Sequence, residues 1–69
     1  MNPLLIIELS NSHTASGLPI RKWSAYTKQK LLLAYINGKV SEKSFQTAVS
    51  AVEQFRIMVE AKEAQVVEA

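Results

Sequence analysis

Five residues, Asn37-Gly38-Lys39-Val40-Ser41, constrain this chain more than any others. Dense amphipathic pattern lies on both sides of them, so the stretch from Trp23 to Ala64 reads as one helical hairpin with this segment as its hinge. Gly38 suits the left-handed residue that ends a helix. Ser41 is a good N-cap for the next one. Val40 and Phe45 stand at the two positions where a hydrophobic staple forms, and Glu42 places a negative charge in the first turn, where the helix dipole favours it.

Downstream of the hinge, Phe45, Ala48, Val49, Val52, Phe55 and Val59 recur at steps of three and four. That stripe predicts a second helix over 41–64, about 36 Å long. Upstream, a first helix is predicted over 23–38, regular from Ala25 to Asn37 with Ser24 as its N-cap. Trp23, Tyr26, Leu31, Leu33, Ala34 and Tyr35, with Leu32 and Ile36 added, cover most of its circumference. A helix packed on one side needs only one apolar stripe, so this one is expected to be packed on two. The second helix is much longer than the first, and Ile57, Met58 and Val59 lie beyond any predicted neighbour. Residues 65–69 read as a frayed tail.

The N-terminal third is harder to read. Leu4-Leu5-Ile6-Ile7-Glu8-Leu9 is short and apolar with paired isoleucines, which favours a strand or extended arm over 1–9. A lone strand cannot satisfy its own backbone groups, so this reading requires pairing with a second copy or with another protein's sheet edge. Residues 10–22 are predicted as a loop, beginning with the polar run Ser10 to Gly17 and ending in an extended approach through Pro19. The fold class expected is mainly α: a two-helix hairpin preceded by a short strand or arm, in a homodimer.

Length supports the dimer. A 69-residue domain buries only about 60% of the surface its unfolded chain exposes, and ordering costs of roughly 1.5 kcal/mol per residue leave little net stability. With no cysteine and a single histidine, neither disulfides nor a four-ligand zinc site is available as a support. Self-association remains. No cofactor is expected. The run Leu4–Ile7 falls far short of the ~20 residues of a membrane span and lacks the flanks of a signal peptide, so the expected location is cytoplasmic and no membrane partner is expected.

Chemistry is sparse. The chain has no aspartate, and its one histidine, His13, has only short-loop serines beside it, so it reads as a solvated loop residue. Gly17 and Gly38 alone cannot build a phosphate-binding loop. An enzyme is therefore not expected. Charge is uneven: residues 1–43 carry six basic side chains against Glu8 and Glu42, whereas residues 44–69 carry Arg56 and Lys62 against four glutamates. The candidate nucleic-acid contacts are Arg21, Lys22, Lys28 and Lys30. The candidate contacts for a protein partner are Leu4, Leu5, Ile6 and Ile7 in the arm, and Phe55, Ile57, Met58 and Val59 on the second helix.

From Leu18 to Phe55 the predicted order of extended segment, helix, turn and helix resembles the ribbon-helix-helix DNA-binding proteins. Ile20-Arg21-Lys22-Trp23 is similar to the end of such a ribbon, and Gly38-Lys39-Val40-Ser41 with Phe45, Ala48 and Val49 to the turn and second helix. The resemblance implies a dimer that lays paired ribbons in the major groove. Arg21 would then read a base, and Ser41 with the amides of Glu42 and Lys43 would hold a phosphate. Pro19, the break in alternation at Arg21-Lys22 and the apolar run upstream depart from that pattern. Leu32 to Phe45 also resembles the short C-terminal helical hairpins of many bacterial proteins, which implies oligomerisation or localisation. The reading carried forward is a non-catalytic, homodimeric interaction module that regulates or inhibits a larger partner. The alternative is a dimeric DNA-binding regulator.

Overall fold

The computed structural model describes residues 3–68, with side chains through residue 64. Three helices follow one another: α1 Pro3–Ser16, α2 Ile20–Ile36 and α3 Glu42–Glu68. The α2–α3 hairpin is the one expected from its hinge. Gly38 has φ +72°, its N–H donates to the carbonyl of Tyr35, and the N–H of Lys39 donates to that of Ala34. These two bonds form a Schellman motif that satisfies the last carbonyls of α2. Ser41 caps α3 by accepting from the Ser44 amide at 3.2 Å. Tyr35 stacks on Phe45 across the hinge, with ring centres 4.8 Å apart.

The expected N-terminal strand or arm is corrected to a helix, and among the described residues there is no strand. Pro3 occupies the first helical position, where its missing N–H costs nothing. A helix satisfies its own backbone, whereas a strand here would have none to pair with. Leu5, Leu9 and His13 recur every four residues and supply the inward stripe: Leu9 belongs to the core, Leu5 packs against it, and His13 touches two aromatic rings. The predicted loop over 10–22 is likewise mostly helical. Thr14 donates to the Ser10 carbonyl and Ser16 to that of His13, so the polar run bonds back onto its own helix. Gly17, at φ +68°, ends α1 with its N–H on the His13 carbonyl.

Only Gly17, Leu18 and Pro19 separate α1 from α2. The predicted start of the hairpin's first helix moves from Ala25 back to Ile20. Pro19 takes the N-cap position, and its carbonyl accepts from Trp23. Ser24, expected as the N-cap, lies inside the helix, buried, with its hydroxyl on the Arg21 carbonyl. The helix therefore begins one turn earlier than a serine-based reading places it. The tail expected to fray from 65 continues α3 as far as Glu68, and Ala69 lies outside the described residues.

The core consists of Leu9, Ile20, Trp23, Ala51, Val52 and Phe55, with Leu5, Leu31 and Val59 packed against it. Every helix contributes. At its centre Trp23 and Phe55 meet edge-to-face at 5.4 Å, and His13 lies edge-on to both at 5.8 Å. His13, expected in a solvated loop, is half-buried in this junction. The molecule measures 45 × 22 × 16 Å, the long dimension being set by α3, about 40 Å for its length.

Two substitutions test this architecture by denaturant unfolding. Leu9→Ala should remove about 2–3 kcal/mol, a loss that a detached arm would not produce. Gly38→Ala should cost about 1 kcal/mol from backbone strain alone, because a Cβ at that position meets nothing within 4 Å.

Candidate functional site

The eight side chains expected to meet a protein partner divide into two groups. From α1, Leu5 and Ile6 are half-buried, while Leu4 and Ile7 stand 69% and 55% exposed. From α3, Phe55 is buried and Val59 half-buried, while Ile57 and Met58 are 57% and 40% exposed. Leu5, Val59 and Phe55 thus converge on one core cluster. The overhang read as lacking an intramolecular neighbour has one in α1, which explains why Phe55 and Val59 face inward. The remaining four, Leu4, Ile7, Ile57 and Met58, are the part of this set that an outside partner can reach.

The basic candidates occupy α2, a helix without a single acidic residue. Arg21 donates from Nε to Glu60 at 2.8 Å, and Lys28 donates to Glu53. Arg56 lies between these two glutamates on α3, reaching Glu53 and Glu60 at 3.0 Å each. The five side chains form one ladder of alternating charge along the α2–α3 seam. A step of seven residues from Arg21 to Lys28 is matched by a step of seven back from Glu60 to Glu53, so the ladder fits one antiparallel register. Single surface ion pairs contribute little, but several charges joined in a network, here through Arg56 bridging two carboxylates, are the favourable case. Lys30 lies over the ring of Tyr26, 4.8 Å from its centre, and Lys22 is exposed.

These contacts shift the carboxyls. The hydrogen bond from Lys28, followed by that from Arg56, holds Glu53 below the ordinary 4.5. The hydrogen bond from Arg21, helped by the charges of Arg21 and Arg56, lowers Glu60 in the same way. The guanidinium of Arg56 is in turn held charged, first by its hydrogen bond to Glu53.

The ribbon implied by the ribbon-helix-helix resemblance is not formed, because Ile20–Trp23 open α2 as a helix. Ser41 keeps its capping role, so its hydroxyl and the Ser44 amide already serve the α3 N-terminus. Among the described residues no group of three His, Cys, Asp or Glu side chains could hold a metal ion, and no helix is long and apolar enough to cross a membrane.

A further surface escaped the sequence-based selection. Tyr26, Leu32, Leu33 and Ile36 on α2 are 50%, 45%, 52% and 68% exposed. The signal was present in the nearly all-round apolar character of this helix, yet which side faced outward depended on where α1 and α3 lie. No protein-family model, curated protein or solved structure matches the chain.

Acid unfolding tests the ladder. Both glutamates have lowered folded-state values, so the unfolded chain binds more protons as the solution is acidified. Their contribution should be complete above pH 4.5 and be lost as pH falls through the lowered values. Glu53→Gln should flatten that acid limb, and molar salt should weaken it in the parent chain. An acid limb identical in the variant and the parent would show that the ladder carries no stability.

Proposed function

We propose that this protein is a non-catalytic interaction module that acts as a homodimer and regulates or inhibits a larger protein partner. The carrying observation is the amount of large apolar surface left outside a small, complete core. Leu4, Ile7, Ile57 and Met58 are exposed on the two helices whose neighbouring side chains fill that core. Contiguous exposed apolar surface marks interaction sites, and these four side chains are the proposed contacts. The half of each segment that faces inward holds the other half in place, which reduces the ordering cost of binding.

A nucleic-acid role for Arg21, Lys22, Lys28 and Lys30 has less support. Two of the four cations already face glutamates, and the same helix displays Leu32, Leu33 and Ile36, which a phosphate backbone would leave uncovered.

The test is crosslinking in the native host with a photoreactive side chain placed at exposed Ala61, one turn beyond Ile57 on α3, followed by quantitation of the captured protein. A single dominant heterologous partner is expected. Ile57→Glu combined with Met58→Glu should reduce its recovery at least tenfold. The same pair should change stability by no more than about 1 kcal/mol, because both sites are on the surface. Undiminished capture by the double variant would contradict the proposed surface.

A further inference from the structure

We infer that the basic outward face of α2 is a docking site for an acidic amphipathic helix of another protein, one that is apolar at one end and carries carboxylates about three turns away. The inference goes beyond the contacts proposed on α1 and α3 and stands or falls without them.

Charge on this face is unbalanced within the chain. α2 carries Arg21, Lys22, Lys28 and Lys30 and no acidic residue. The two glutamates of α3 that lie along it are already engaged, Glu60 by Arg21 and Arg56, and Glu53 by Lys28 and Arg56. Among the described residues neither Lys22 nor Lys30 has an ion pair. Lys30 lies instead over the ring of Tyr26. The charge complement of these two lysines must therefore come from outside the fold.

Position separates two chemistries along the same face. Lys22 and Leu33 are eleven residues apart, a spacing that returns to the same line of a helix about 16 Å further on. The first half of that line and its flanks hold Lys22, Tyr26, Gln29 and Lys30, and the second half holds Leu32, Leu33 and Ile36. All seven are exposed, and they lie away from Ile20, Trp23 and Leu31, which pack into the core. A partner helix can set apolar anchors one turn apart on Leu32, Leu33 and Ile36. Its Asp or Glu side chains then meet Lys22 and Lys30, steering the approach and fixing the direction in which it lies.

Other occupants match only half of the face. A second copy of this chain would set cation against cation. A phosphate backbone would engage the lysines and leave Leu32, Leu33 and Ile36 uncovered. A helix lying on an anionic bilayer keeps its charges on the side away from the acyl chains, whereas Lys22 and Gln29 stand on the line of Leu33 itself. Only a folded or folding polypeptide offers a carboxylate at one point and an apolar anchor three turns from it.

The test is selection of a displayed library of random segments, about 16 residues long to match α2, on the immobilised full chain at low salt. Enriched segments should be net acidic, with apolar residues at steps of three and four. A synthetic copy of the most enriched segment is then titrated by fluorescence anisotropy. Lys22→Glu, which turns an attraction into a repulsion, should weaken binding about tenfold, and Leu33→Ser should do the same by removing an apolar contact. Molar salt should weaken the parent and leave Lys22→Glu little changed. Both sites are exposed, so the helical circular dichroism of the variants should match the parent. Failure to enrich any segment, enrichment of neutral or basic ones, or binding indifferent to both substitutions would overturn the inference. So would phosphatidylserine–phosphatidylcholine vesicles or a random DNA duplex that bind tighter than the segment and are lost in the same two variants. Ile57→Glu with Met58→Glu should leave segment binding intact, so the α2 site and the α1–α3 contacts are read separately.

Discussion

One ring from each helix meets at a single point, and the rest of the structure depends on that junction. His13 of α1, Trp23 of α2 and Phe55 of α3 lie edge-to-face in all three pairings. Such pairs add about 0.5–1.5 kcal/mol beyond the area they bury, a large fraction of what a domain this small retains. The junction also explains why α1 exists as a helix at all. His13 of α1 packs on both Trp23 and Phe55, and a helix gathers Leu5, Leu9 and His13 on one side within about 12 Å, where a strand would spread them over about 26 Å.

The electrostatic ladder complements the junction. Ring contacts tolerate small slips along the helix axes. The matched seven-residue steps of Arg21 and Lys28 against Glu60 and Glu53, joined by Arg56, tie α2 to α3 in one register. The ladder also shapes the outer surface. By pairing two of the cations on a helix that has no acidic residue, it lowers the net positive charge that α2 presents. Exposed apolar side chains remain on α1 (Leu4, Ile7), on α2 (Leu32, Leu33, Ile36) and on α3 (Ile57, Met58).

The hairpin was legible because its signals are local. Gly38 and Ser41 act through bonds to residues at most five positions away, and sequence displays such bonds directly. The N-terminal helix was not legible for the opposite reason. Leu4 to Ile7 has no alternation that separates strand from helix, and the four-residue spacing of Leu5, Leu9 and His13 fits one face of either form and includes a residue type that seldom marks a core. The sequence Gly17-Leu18-Pro19 did contain a usable signal, a helix stop followed by a helix start, but the polar run before it suggested a loop. Ser24 misled because a serine before an apolar stripe resembles a cap, while here its small side chain is accommodated inside the helix. The surface on α2 was half legible: the excess of apolar residues was plain, but its direction depended on tertiary contacts that one sequence does not display.

The most direct measurement is native-state hydrogen exchange resolved by residue. The backbone amides of α1 around Leu9 and His13 should be protected as a helix, and to the same opening free energy as those of Ala51 to Phe55 in α3, because one ring junction couples them into a single unfolding unit. Near-unprotected exchange throughout residues 4–16, with α2 and α3 still protected, would contradict the account: α1 would then be a dispensable arm and the junction would not hold the fold together.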